Sequence, residues 1–439
     1  MISIDEPRIT VGIVDGRKEV RGRLNGPFTG NGSEFPAGRF EARVSNGSIG
    51  LYDENQRQIA RSSVIRLIPA HEDSTFSLFG VTIGIRFHWE RREDQTFHGQ
   101  MVLLLREDGT VAAINDILLE DYLKAVICSE MRASAPAEFL KAHAVLSRSW
   151  LLAALKGKKE QKERFTHGPS TTKQGEVIRW YDREDHDLFD VCADDHCQRY
   201  QGIAKITSGR VEDAVRETRG MVLTYQDEIC DARYSKACGA FTEEFSTAWE
   251  DRRVPYLRSI SDSPHEYGKI RTEDQAVCWI LSNLDAYCNT KDTSVLEAIL
   301  PNFDLETQNF FRWRVEYPRK ELEDILRDKS GFDFGRLQQI SPLTRGPSGR
   351  ISRLRIVGSK MSIIVGKELE IRRWLSRSHL YSSAFIVKEE ADRFVFHGAG
   401  WGHGVGLCQI GAAVMASRGF SAGHILKHYF RGAEIEKVY

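Results

Sequence analysis

The sequence predicts an α+β fold, on three observations. Residues 1 to about 110 break into short alternating or β-branched runs separated by Gly, Asn and Asp. Residues 115 to 157 carry the strongest helical periodicity of the chain. The remainder mixes both patterns and includes, at 398–406, a segment where every second residue is glycine. At 439 residues the chain exceeds what one core usually serves, so two or three packed subdomains are expected.

In the first region Ile9–Val14, Val64–Ile68, Val81–Trp89 and Gln100–Leu105 read as strands, and Gly109 as a hairpin turn before Val111–Ile114. Residues 1–110 are therefore expected to form a β-rich unit ahead of a second unit over 111–439. In LLEDYLKAVICSEM, residues Leu119, Tyr122, Leu123, Val126, Ile127, Glu130 and Met131 share one helical face. Pro136 suits the first turn of a second helix, in which Arg148 shares a face with Ala144, Leu151 and Leu152 and which Gly157 ends. Residues 158–205 read as an insertion, polar at first and then holding a Cys/His cluster. Val211–Glu217 reads as helix, and Met221–Tyr225 and Ala232–Ser235 as strands. Residues 272–289 form a helix, 292–330 are mainly helical, and 350–372 are two strands with a hairpin at Gly358 followed by a short helix.

The glycines at 398, 400, 402, 404 and 406 would all lie on one face if that segment were extended, a bare face open to close approach. Ala399, Trp401, His403, Val405 and Leu407 would take the other. Ala412–Ser417 follows as a helix stopped by Gly419, and Ser421 caps another.

Composition excludes several classes of function. Lys and Arg number 61 and Asp and Glu 62, a balance that gives no support to nucleic-acid or membrane-surface binding. No run approaches the ~20 apolar residues of a membrane helix. The opening MISIDEPRITVGIV lacks the pattern of a secretory signal. Eight cysteines over so long a chain do not form a dense disulfide scaffold, and a Cys230–Cys238 pairing stays open.

Two constellations carry chemistry. Glu130 puts a carboxylate on an apolar stripe at a helix end, an expensive placement for an isolated charge and a useful one for a general acid. His186, Cys192, His196 and Cys197 offer two thiolates and two imidazoles, which suit tetrahedral Zn²⁺. Four protein ligands close the site, so that zinc would be structural. His143, on a helix among alanines, reads as a packed histidine.

Three segments in order, LLEDYLKAVICSEMRASAPAEFLKAHAVLSRSW (118–150), CADDHCQRYQG (192–202) with AVRETRGMVLTYQDEICDARYSKACGAFTEEFSTAWE (214–250), and GWGHGVGLCQIGAAVMASRGFSAGHILKHYF (400–430), resemble the SpoIID/LytB family. The resemblance spans about residues 110 to 439. It implies a helix pair packed on mixed β structure beside a substrate groove. It also implies a lytic transglycosylase that cuts between N-acetylmuramic acid and N-acetylglucosamine in peptidoglycan glycan strands stripped of stem peptides, leaving 1,6-anhydro ends. The LytB branch implies instead a non-catalytic enhancer of a cell-wall amidase. Glu130 matches the family's catalytic Glu, Arg148 a functional Arg, and His186, Cys192, His196 and Cys197 a zinc cluster of some members. Tyr234, Ser235, Thr242, Trp401, His403 and Gln409 would line the substrate cleft. Ala240 departs from the usual CGG, and Leu407, Cys408 and Ile410 from the usual Met, Ser and Trp. Such a substrate implies a place in the cell envelope, although no export signal is visible in the chain.

Overall fold

The computed structural model describes residues 5–30, 32–85, 90–161, 170–173, 175–181, 186–195, 197–305 and 309–439. It is α+β, as expected. Among these residues, strands Arg8–Arg17, Val111–Leu118, Gln100–Leu105 and Val64–Pro69 form the middle of one antiparallel sheet. Glu19–Asn25, Gly38–Ser45, Ser48–Asp53, Gln58–Ser62, Thr75–Ile83 and Arg91–Phe97 form a second. Alternation works here as written: Val20, Leu24, Phe40, Phe76 and Leu78 point into one core, with polar residues between them. The segment Val191–Cys192 adds to the first sheet in parallel with Val11 and Gly12. The expected boundary at residue 110 thus falls inside a hairpin of one sheet.

Helices α1 (Leu119–Glu130) and α2 (Ala137–Gln161) follow directly. Leu118, at the start of α1, offers no side-chain cap; Glu6 Oε1 accepts from the Glu120 N–H at 3.2 Å in its place, and packing does the rest. Leu119, Tyr122, Leu123, Val126 and Ile127 are all fully buried, worth about 1.5–3 kcal/mol each. Helix α1 stops after Glu130, where Met131 turns to extended backbone.

The C-terminal half holds more β structure than its sequence suggests. Arg312–Pro318, expected as helix, is a strand paired with Arg393–Ala399, which also pairs with Phe385–Glu389. Ile351–Gly358 and Ser362–Gly366 pair as expected, with Leu337–Arg345 added beside them. These strands enclose a separate core around Trp313, Leu354, Trp374 and Phe385. The helix expected over 272–289 ends at Leu281.

The glycine segment is not an extended strand. Gly400, Gly402, Gly404 and Gly406 all have positive φ, which side chains rarely adopt. A Cβ at Gly406 would lie 2.0 Å from the Arg233 carbonyl, and one at Gly404 2.3 Å from the Arg350 guanidinium carbon. The glycines therefore serve close packing within the protein. Ala240, beside Gly239, is held at φ 102°. That strain costs about 1–3 kcal/mol, and glycine returns part of it through chain entropy and a lost buried methyl. Ala240→Gly is expected to stabilise the fold by about 0.5–1 kcal/mol, read as a higher urea midpoint; a lower midpoint would show that Cβ packing outweighs the strain.

Candidate active site

Glu130 is the last residue of α1 and is 8% exposed. Its Oε1 accepts from the Tyr234 hydroxyl at 2.9 Å and from the Arg199 backbone N–H at 3.1 Å. Its Oε2 has no hydrogen-bond partner among the described residues. One oxygen is fixed by two donors and the other by none among the described residues.

Two segments build this setting. The first is 197–201, which runs back along the end of α1. Gln201 N–H donates to Ser129 Oγ at 3.0 Å, in register with the Arg199 contact to Glu130. Tyr200 anchors the segment by stacking between Tyr122 and Phe97 and donating to Asn115 at 2.5 Å. The second is 234–238, joined to the glycine segment by Tyr234↔Leu407 and Ser235↔Cys408 pairs and an Ala237↔Trp401 bridge.

Alternating charges surround the carboxylate. Lys236 Nζ pairs with Asp304 Oδ2 at 2.7 Å and reaches the Glu130 carbonyl at 3.4 Å. Arg199 pairs with Asp195 through Nε and lies 4.0 Å from Asp304 Oδ2. Burial alone would lower the Arg199 pKa; Asp195, Glu130 and Asp304 outweigh it and hold the guanidinium charged. Burial pushes Asp195 up to about 7 despite that partner. Burial and the Glu130 carboxylate push the Tyr234 phenol well above its usual range, so it stays a donor.

Behind Tyr234 lies His143, ring edge to ring at 5.1 Å. His143 is fully buried, and burial lowers its pKa to about 4. It is neutral near pH 7 and contributes a hydrogen bond, as its packed setting in the sequence suggests. Gln409 Nε2 approaches His143 Nε2 at 3.2 Å; with the amide donating, the ring proton sits on Nδ1, 3.1 Å from Ser147 Oγ.

The residues singled out in the sequence divide into two groups. Glu130, Tyr234 and Gln409 come together. Ser235 and Trp401 lie on the same ribbon. Ser235 is buried, while Trp401 is half-exposed, stacked on Phe310 at 5.3 Å and edge-on to Tyr381. His403 instead packs on Trp249 at 4.8 Å and accepts from Val405 N–H. Thr242 has no exposed surface, its hydroxyl donating to the Arg258 carbonyl and accepting from Ile260 N–H, so it serves the fold and does not face a cleft. Arg148 has no exposed surface. Nε and Nη2 grip both Glu120 oxygens at 2.9 and 2.7 Å, and Nη1 donates to the Met221 carbonyl. It is a scaffold ion pair and reaches no cleft. Nothing in residue type marks out Arg199, Asp195 and Asp304; only their position in a Cys-rich loop and a short helix distinguishes them.

His186, Cys192 and Cys197 place one ligand atom each within 4.8 Å of one another, with Cys197 Sγ 3.4 Å from His186 Nε2. His196 lies outside the described residues. The cluster sits in the loop that delivers Arg199 to Glu130. Cys238 neighbours Cys288 and Cys408 and not Cys230.

A family model described as Stage II sporulation protein matches residues 107–225. A second, described as a domain of unknown function, matches 243–406. Stage II sporulation protein D of Bacillus amyloliquefaciens is 24% identical over 327 residues, 74% of this chain and 76% of that protein. The same-named protein of Bacillus subtilis is 23% identical over 329 residues, with the same coverage. The amidase enhancer of Bacillus subtilis is 26% identical over 334 residues, 71% of this chain and 40% of that longer protein.

Proposed function

The chain belongs to the SpoIID/LytB family, and on that premise we propose that it is a lytic transglycosylase of peptidoglycan glycan strands, with Glu130 as its single acid and base. The observation that carries this reading is Glu130 itself: a nearly buried carboxylate with Oε1 held by two donors and Oε2 without a hydrogen-bond partner among the described residues. Cleaving the bond between N-acetylmuramic acid and N-acetylglucosamine needs a proton on the leaving glycosidic oxygen. Protonated Glu130 supplies it from Oε2. The resulting carboxylate takes the proton of the muramic 6-hydroxyl as that oxygen bonds to C1. No water enters, and the product carries a 1,6-anhydro ring.

Tyr234 and the Arg199 N–H stabilise the carboxylate form that appears when the proton leaves, the preorganised stabilisation that speeds a charge-developing step. Lys236 keeps positive charge near the same helix end. Trp401, half-exposed on the paired ribbon, offers a flat apolar face of the kind sugars stack on. A groove of 360 Å³ opens beside the end of α1, lined by Ser129, Arg132, Gln201 and Lys205 among others, and gives a polymer room to continue.

His186, Cys192 and Cys197, with His196, fit zinc by donor chemistry. Zinc there would tie down the loop carrying Arg199 and supply no catalytic step. The substrate places the working protein in the cell envelope. A non-catalytic enhancer of an amidase is the second reading, favoured by the relative of that name.

Tyr234→Phe tests the arrangement. The ring still packs on His143, so the fold should hold, while the lost hydrogen bond to a charged group is worth about 1.5–3 kcal/mol. The expected result is a roughly 10- to 100-fold slower release of anhydro products, with the melting temperature lowered by only about a few degrees. An unchanged rate would remove Tyr234 from the mechanism.

A further inference from the structure

Four segments, two of which also build the Glu130 setting, bring three thiols and a carboxyl together in the interior. Cys238, Cys288, Cys408 and Asp262 are each at most 2% exposed, and one ligand atom from each lies within 4.8 Å of the others. We propose that these four residues form a buried structural site for a thiolate-preferring divalent ion such as Zn²⁺, separate from the His186 cluster.

Geometry is the first argument. Cys238 Sγ and Cys288 Sγ are 3.7 Å apart. Two thiolates on one tetrahedral zinc, each bonded at ~2.3 Å, stand about 3.8 Å apart. A disulfide would need the sulfurs at ~2.05 Å and would leave the third thiol unexplained. The surroundings are the second argument. The Cys238 backbone N–H donates to Cys408 Sγ at 3.2 Å. Asp262 Oδ1 accepts from the Tyr429 hydroxyl at 2.6 Å and Oδ2 from the Cys288 N–H at 3.0 Å. Each acceptor keeps a lone pair free, and outer-shell donors of this kind orient metal ligands.

Charge is the third. Asp262 is fully buried and forms no ion pair with Lys or Arg among the described residues. A dication balances a carboxylate that would otherwise be isolated in an apolar interior. The set of three sulfurs and one oxygen is soft, and four protein ligands leave no open position, which fits a structural ion. The site would staple the 238 loop, two residues from Lys236, to the start of helix Gln409–Ser417.

The test uses the full chain and a Cys192→Ser/Cys197→Ser variant that lacks the loop thiolates, both reconstituted with Zn²⁺ alone and then with Co²⁺ alone. Elemental analysis should find one tightly held zinc in the double variant. The cobalt form should show thiolate-to-metal charge transfer with tetrahedral d–d intensity. Adding Cys408→Ser should remove that zinc. Loss of all metal in the double variant would overturn the proposal. So would retention of zinc after Cys408→Ser, or a Cys238–Cys288 disulfide in peptides of the purified chain. If Cys408→Ser does not fold, the cobalt spectrum of the double variant decides alone, and absence of thiolate charge transfer there overturns the site.

Discussion

Glu130→Gln should abolish release of anhydro-muramyl products from amidase-stripped peptidoglycan while leaving the protein folded. Glutamine keeps the size of glutamate, and its carbonyl oxygen can still accept from Tyr234 and the Arg199 N–H. What it loses is the proton that the leaving oxygen requires. General acid–base catalysis by a positioned side chain contributes about 10²–10⁴-fold, and here one residue serves in both directions, so the loss should reach at least the upper figure. Mass spectrometry of digests from wild type and variant reads the outcome directly. Anhydro products from wild type alone establish Glu130 as acid and base. Reducing ends from wild type would mean that water attacks, and a hydrolase needs a second carboxylate; Asp195 and Asp304, both tied to Arg199, would then be the first candidates. Glycan binding without cleavage in both proteins would favour the enhancer reading.

Glu130 was legible because one helix carries both the pattern and the exception to it. Periodicity placed α1 and α2, and a carboxylate on the apolar stripe of α1 stood out against that pattern. What surrounds Glu130 was not legible. Arg199 is 69 residues away and acts through its backbone N–H, which no residue type reports. Lys236 and Asp304 look like solvated charges in sequence and become a buried pair only when two distant segments meet. The strand Arg312–Pro318 was hidden for a related reason. It sits half-exposed between helical stretches, and its partner Arg393–Ala399 lies some 80 residues on, beyond the reach of local pattern. The glycine segment misled differently. A period of two reads as extended chain, whereas four of its glycines adopt positive φ to pass against Ala237, Ser235, Arg350 and Arg233.

Arg148 separates a residue matched by motif from a residue placed by structure. Arg148→Met should cost about 3–5 kcal/mol of stability, because removing one partner strands the other as a buried, uncompensated charge. Glu120 is 5% exposed, and it also accepts from Gly220 N–H and the Tyr439 hydroxyl, so its carboxylate cannot turn to water without breaking the C-terminal contacts. Urea denaturation measures the loss. The double variant Glu120→Leu/Arg148→Met should recover part of it, since apolar partners of similar volume often replace a buried pair without penalty. Recovery should be incomplete, because Gly220 N–H and the Tyr439 hydroxyl would lose their acceptor at about 1–3 kcal/mol each. Any activity lost in the single variant should return with folding in the double. If instead Arg148→Met keeps the wild-type midpoint and still stops cleavage, Arg148 meets the substrate in a conformation in which it has left Glu120, and the groove must extend to the far side of α2.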